Sequence, residues 1–595
     1  MTSQFDISRR RLLQLMGIGA VGAAGVGTLA ACGGGDAEGS GTGEFTGAYE
    51  FDVDTHHYNV TQDGAAILMS SIYADLFLTP GAHYDWAAKK WQYNLIEQSS
   101  WDGDTFVVNI RKGLKWSDGS DLTSADFHQT YAMMVLATPA WGDAWPAVKG
   151  IEAIDEHTVH LTVDGAYPGF ERPILKRRVW SKATFGEFGE EAIQLLSEGV
   201  VNGDEKQLDF NNRLIEFRPD DIIASGPFKI DFKASSDTQI TMVPNKGGFA
   251  ADAVKFDKVT VYKGANKDIA QMLVERKVDY STNAFTATEL ETFKAVEGLK
   301  LLETPGFDGG GLIFNFTGKP ELKDPRVRKA LAYAIDNDQV GKIARGEAYY
   351  VSQYDCGLPD VHAEEVFTET ELAKFELHSY DPKKAEELLT EAGWKKEDDV
   401  WKLPDGSTAS YEIIGVTGWN DFELTATQVQ EAWSAIGITC TAKNVPGDNP
   451  WGIWSSGEFE VAVRQWGNPF NPDYWGAFLM AYQTDNGRTK DTPGMNLDLK
   501  MESEILGEEV DLDELVATAK TDPDETARIE AVKKMAIVFN EKLPRIPVWG
   551  YKRLSPAIEG PRVKEFTNKG ANQGNDVYQD NPVIISLLAG ELDVS

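Results

Sequence analysis

The sequence predicts an α/β protein of two or three domains. Three observations carry that expectation. The 595 residues exceed what one apolar core serves. Stretches with helical and with strand periodicity alternate along the chain. Two of the helices open on an Asp-Pro pair, which supplies a cap and a pre-set first turn. The composition, 42% hydrophobic and 25% charged, is that of a folded chain. A net charge of −36 leaves no basic surplus to neutralise phosphates, so no nucleic-acid partner is expected.

Residues 1–32 read as an export signal. Arg9 and Arg10 stand ahead of an apolar run, 12–31, that contains five glycines. The run is long enough to span a bilayer but makes a poor helix, which fits a cleaved signal better than an anchor. The arrangement resembles a twin-arginine signal closing on a lipobox, Leu29-Ala30-Ala31-Cys32, with Cys32 as the lipidated residue. Residues 33–47, rich in Gly, Ser and acids, read as a flexible tether. More than one acyl chain gives stable anchoring, so the expected location is the outer face of the cell membrane or the periplasm. Cys356 and Cys440 remain, and outside the cytoplasm they can pair or stay as separate buried thiols.

The elements follow in order. Residues 65–78, AAILMSSIYADLFL, carry apolar side chains at helical spacing, and residues 105–113 read as a strand. In Ser117-Asp118-Gly119-Ser120, Asp118 can bond its own backbone and Gly119 accepts a positive φ. Thr123 and Asp126 form an acidic capping box before a helix that buries Phe127, Tyr131, Met134 and Val135. A Gly-Pro turn enters a strand at 224–232, and GLIFNF, 311–316, reads as a buried strand. Asp324 and Pro325 open a helix whose buried face is Val327, Ala330, Leu331, Ala334 and Ile335. Asp381 and Pro382 repeat the device, and Gly393 ends that helix. Residues 526–551 read as a helix followed by a Pro-bounded strand.

Six of these blocks, in this order, resemble the peptide/nickel/oligosaccharide-type extracellular solute-binding proteins, family five, of ABC importers. They are FVVNIRKGLKWSDGSDLTSADF, SGPFKI, VRKALAYAID, YDPKKAEELLTEAGW, AWSAIGITC and KLPRIPVWGY. The resemblance implies a two-lobed periplasmic-binding-protein-like fold of type II, the large class with an extra subdomain in the first lobe. It implies a first lobe over 48–310, with the extra subdomain at about 80–220, a second lobe over 311–545 and a return to the first lobe over 546–595. The lobe crossings are expected near Leu312–Phe316 and Ile546–Tyr551. Also implied are a ligand clamped between the lobes, a membrane permease as partner, a monomer, and no cofactor or catalytic residue.

Candidate ligand contacts cluster in WGIWSSGEFEVAVRQWGNPFNPDYWGAF, 451–478, where aromatic faces can stack on a solute. In peptide-binding members an Asp stands three residues after the Trp matched by Trp466; here that position is Pro469. Asp473 is the nearby carboxylate, while Asn468 and Asn471 suit a neutral, hydroxyl-rich ligand. The resemblance implies a peptide as ligand, while the missing carboxylate and the two amides make an oligosaccharide the alternative. The contact set is Tyr58, Gln62, Trp419, Trp466, Asn468, Phe470, Asn471 and Asp473. His56 and His57 are adjacent and lack the i, i+4 spacing of a helical metal pair, so no metal site is expected.

A secreted glycoside hydrolase is the alternative from another class, since such enzymes need two carboxylates across a cleft. With 93 acidic residues such pairs can be picked at will, and no nucleophile elbow, zinc-protease motif or phosphate loop is present. A receptor that signals without transport has the same sequence features.

Overall fold

A computed structural model describes residues 43–49, 58–61, 71–86, 88–137, 145–165, 168–446, 450–468, 473–487, 493–566, 575, 578 and 580–595. Arg9, Arg10, Cys32, His56, His57, Gln62, Phe470 and Asn471 lie outside the described residues.

The chain enters a central sheet with β1 (Glu44–Tyr49). This corrects the end of the tether expected over 33–47, whose residues 33–42 lie outside the described residues: EFTGAY has a buried centre and lies between two parallel partners. The helix expected over 65–78 is, in its described part, a short 3-10 turn at Ile72–Leu76. A hairpin follows, β2 (Ala82–Asp85) and β3 (Lys90–Tyr93). The next four strands are β4 (Ile96–Asp102), β5 (Thr105–Ile110), β6 (Val148–Asp155) and β7 (Thr158–Val163). They form a separate antiparallel sheet in the order β4-β5-β7-β6.

The expected turn and cap shape the entry to the first long helix, Ser124–Ala137. The Asp118 carboxylate accepts from the Ser120 backbone at 2.9 Å, and Gly119 has φ +92°. The Thr123 backbone N–H donates to Asp126 at 2.9 Å while the Thr123 hydroxyl accepts from Ala125. Asp126 also accepts from the backbone of Lys182, which ties this helix to the start of the helix Lys182–Ser197.

The central sheet resumes with β8 (Phe228–Ile230), β9 (Gln239–Pro244), β10 (Lys258–Lys263) and β11 (Tyr280–Ser281). The 16-residue β12 (Leu299–Phe314) comes next, followed by the short β13 (Tyr349–Tyr350). Two small hairpin strands, β14 (Lys395–Glu397) and β15 (Val400–Lys402), precede β16 (Ser410–Val416), β17 (Thr439–Val445) and β18 (Val461–Gly467). A last hairpin, β19 (Lys500–Ser503) with β20 (Glu508–Asp511), leads to β21 (Ile546–Ile558). The central order is β17-β16-β18-β12-β21-β11-β1-β10-β9-β8, with β13 also on β21.

The Asp-Pro helices form as their chemistry dictates. Asp324 accepts from the Arg326 backbone and Pro325 opens the helix Pro325–Tyr333. Asp381 accepts from Lys383 and Lys384 ahead of the helix Pro382–Glu391. Their apolar faces enter a core that holds Leu331, Leu389, Trp433, Val463 and Phe539. A second core holds Phe45, Phe106, Tyr131 and Val261, and the C-terminal Val583, Leu587 and Leu588 return to it.

Between these cores the sheet narrows to one ribbon. β18 joins β12 at 308–314, and β11 joins β21 at Tyr280 opposite Ala557. β12 and β21 pair along the whole ribbon, with a register break between Pro305 and Gly309 opposite Lys552 and Gly550. This moves one expected crossing. Leu312, Ile313, Phe314 and Phe316 belong to the core that holds Leu331 and Trp433, because an apolar run packs rather than hinges. The break lies earlier in the strand, between Pro305 and Gly309, where the pairing is irregular.

The bridge considered for Cys356 and Cys440 is not formed; both are free. Cys356 is fully buried, and Cys440 sits in β17 at the end of the sheet. Burial pushes both thiols up to about 12. Cys356 should therefore react with a thiol reagent in denaturant and not in the folded protein; equal reaction rates in both states would contradict its placement.

Candidate functional site

The strand directions bring four carboxyl ends together at the ribbon. β16 and β18 are parallel and run toward the register break from one side; β1 and β11 are parallel and run toward it from the other. In open α/β sheets ligands bind at carboxyl ends of strands. Three cavities occur there; one of about 480 Å³ lies along Pro305, Gly306, Tyr551 and Lys552, and the other two have walls from both sides of the ribbon.

The first of these two has a volume of about 510 Å³. One wall is the β2–β3 hairpin with Tyr84, Trp86 and Trp91, backed by Glu171 and Arg172. The opposite wall carries His362, Glu365, Asp473, Tyr474 and Trp475, and Phe307 of β12 lies between the walls. Five of these rings form a continuous row across the ribbon. Tyr84 meets Trp86 edge-on at 4.8 Å, and Trp86 tilts onto Phe307 at 6.0 Å. Phe307 stacks on His362 at 4.8 Å with the planes 12° apart, and His362 meets Tyr474 edge-on at 5.2 Å.

Hydrogen bonds fix the row at both ends. The Trp86 indole N–H donates to Asp580 at 3.2 Å, and the Tyr84 backbone N–H donates to the same carboxylate at 2.9 Å. Arg172 and Lys176 pair with Asp580 at 3.2 and 2.8 Å, and the Arg172 guanidinium lies 4.4 Å from the Trp86 ring centre. Burial alone would raise the Asp580 carboxyl, but Lys176 and Arg172 hold it below the usual carboxylate range. At the far end the Tyr474 hydroxyl donates to Glu365 at 2.5 Å, and Lys89 of the hairpin reaches Glu365 at 3.4 Å. Burial pushes the His362 imidazole down to about 4, and it pushes the Asp473 carboxyl up against the pull of Arg172.

The second cavity, about 360 Å³, lies between Tyr49, Asn283 and Thr286 on one side and Arg345, Trp419 and Gln465 on the other. Its floor is held by Asp421, which accepts from the Tyr551 hydroxyl at 2.7 Å, and by Arg553, which pairs with the buried Asp308. Burial raises the Asp308 carboxyl, with Arg553 acting against it.

The expected contact residues fall in several places. Asp473 lines the first cavity and Trp419 the second. Trp466 is 1% exposed, and its indole N–H donates to the Trp549 carbonyl at 2.9 Å, so its polar edge is committed to the ribbon. Asn468 is buried with its amide on the Gly476 carbonyl at 3.3 Å. Tyr58 packs on Phe232 at 4.2 Å and lines neither cavity. Trp451 and Trp454 hold the Arg464 guanidinium between them, at 4.3 and 4.5 Å. The residues that sequence reasoning passed over are Tyr84, Trp86, Phe307, His362 and Tyr474. For the first two a signal exists: residues 82–93 carry four Trp or Tyr in twelve positions.

Residues 83–488, more than half of the chain, match the profile of the bacterial extracellular solute-binding proteins, family 5 Middle. A dipeptide-binding protein of Pseudomonas aeruginosa is 23% identical over 497 residues, which cover 78% of this chain and 82% of that protein. The crystal structure of a periplasmic oligopeptide-binding protein of an oligopeptide ABC transporter from Thermotoga maritima superposes with a TM-score of 0.71. It has 18% identity and covers 93% of this chain and 99% of its own. A mannohexaose-bound structure from the same organism gives 0.68 at 19% identity, covering 93% of this chain and 98% of its own. With the ribbon, the two cores and the cleft in place, the chain belongs to the family-five bacterial extracellular solute-binding proteins and has their two-lobed type II fold.

Proposed function

We propose that the protein is the substrate-binding lipoprotein of an ABC importer, capturing a peptide or similar oligomeric solute between its lobes and delivering it to a membrane permease. The observation that carries this reading is the 510 Å³ cavity, whose walls come from opposite sides of the β12–β21 ribbon and meet through one aromatic row. A solute touching both walls favours the closed arrangement over the open one. A lipid on Cys32 keeps the receptor near its permease and raises its effective concentration there. The relatives named for dipeptide and oligopeptide binding support a peptide.

An oligosaccharide is the second reading. It is favoured by the mannohexaose-bound neighbour, by the aromatic lining and by Pro469 where peptide-binding members carry an Asp. A thermal-shift screen of di- to pentapeptides and of oligosaccharides separates the two. A ligand held at about 100 times its Kd adds about 2.7 kcal/mol to native stability, so the binding class raises the Tm clearly. Peptides shifting the Tm and sugars not doing so supports the first reading; the reverse supports the second. Release of shortened products from either class would overturn both in favour of a hydrolase. For the anchor, Cys32→Ser should move the protein from the membrane to the soluble fraction; unchanged fractionation would refute lipidation at Cys32.

A further inference from the structure

We propose that His362 is a ligand-contacting residue, the hydrogen-bonding group that determines specificity in the aromatic cleft. This rests on the binding role proposed above and adds to it the chemistry of the contact.

His362 is 6% exposed and lines the 510 Å³ cavity. One ring face is covered by Phe307, and Tyr474 closes a second side. Among the described residues its imidazole has no hydrogen-bond partner. The other two buried histidines among the described residues each hold a carboxylate through a ring nitrogen, although Nε2 of His378 has no hydrogen-bond partner. His83 bonds Asp75 at 2.9 Å and Asn94 at 2.8 Å, and His378 bonds Asp355 at 3.1 Å. What sets His362 apart from other buried polar groups is its place on the cavity wall, where a ligand in the cavity can supply the partner. Core packing alone does not require an imidazole there, since a phenyl ring fills the same stack.

The chemistry of that partner follows from the ring's surroundings. Burial keeps the imidazole uncharged at neutral pH, so it offers one N–H donor and one acceptor nitrogen. That pair matches a hydroxyl or an amide, each of which can both donate and accept. The stack on Phe307 holds the ring in one orientation, which reduces the entropy lost when the bond forms. Phe307 lies within the register break, so the contact is made beside the element that joins the lobes.

The test uses trialanine and mannohexaose as probes, with binding followed by calorimetry and the imidazole nitrogens followed by NMR on 15N-histidine protein. Eight histidines keep those spectra readable. His362→Phe retains the ring face and removes both nitrogens; His362→Gln retains a donor and an acceptor and identifies the His362 signal by its loss. The expected result is that the wild type binds one probe, that H362F binds it about tenfold more weakly at unchanged Tm, and that H362Q recovers part of the loss. The His362 nitrogen signals of the wild type should shift on binding, a readout that needs no folded H362F. Wild-type binding with equal affinity in H362F and an unmoved His362 signal overturns the His362 assignment alone. Failure of the wild type to bind either probe, with no thermal shift from any member of the peptide and oligosaccharide screen, overturns both this assignment and the receptor role on which it rests.

Discussion

Replacing Asp485 by Ala should lower the unfolding free energy by about 3–5 kcal/mol, the usual penalty for removing one partner of a buried ion pair. Asp485 is 3% exposed and faces two guanidiniums, Arg464 at 3.0 Å and Arg545 at 2.5 Å. Arg464 is fully buried, and burial pulls its guanidinium downward while Asp485 holds it charged. Without the carboxylate two buried cations lose their paired counter-charge, and Asp308, which also acts on Arg464, is already paired with Arg553. Arg464 belongs to β18, and its neighbour Gln465 lines the second cavity, so the damage reaches the cleft. Urea denaturation followed by circular dichroism measures the loss. A change below about 1 kcal/mol, the range of exposed pairs, would mean that the three side chains are solvated.

Gly309→Ala should be nearly as damaging, through backbone overlap. A Cβ at this position would stand 1.9 Å from the Trp549 carbonyl oxygen, 2.5 Å from the Trp466 indole nitrogen and 2.6 Å from the Gly550 Cα. Two of those atoms are backbone, so no side-chain rotation relieves the overlap. The strands β12 and β21 must separate at the register break, and the Trp466 to Trp549 hydrogen bond is lost with them. Overpacking of this kind costs about 1–3 kcal/mol or more, and here it also displaces Phe307 from the aromatic row. The variant should melt well below the wild type and bind solute weakly. A wild-type Tm for Gly309→Ala would show that the ribbon does not approach this closely.

Local structure was legible in the sequence because its causes are local. Asp118 with Gly119, Thr123 with Asp126, Asp324 with Pro325 and Asp381 with Pro382 each fix a turn or a helix start within a few residues. The alternation of elements and six blocks of motif gave the family, which the profile match then established. The cleft was less legible, because its row is assembled from residues 84, 86, 307, 362 and 474, and no short-range pattern links them. The tryptophans of 451–478 drew attention by number, yet Trp454 and Trp466 are buried in the core and the ribbon. Likewise EFTGAY looked like the end of a linker because its burial depends on β10 and β11, more than 200 residues away in sequence.

The most direct test is small-angle scattering of the receptor with and without the solute that gives the largest thermal shift. A clamp of two lobes about one ribbon predicts a smaller radius of gyration with solute bound and the solute recovered intact. An unchanged radius at saturation, or a solute recovered in pieces, would contradict it.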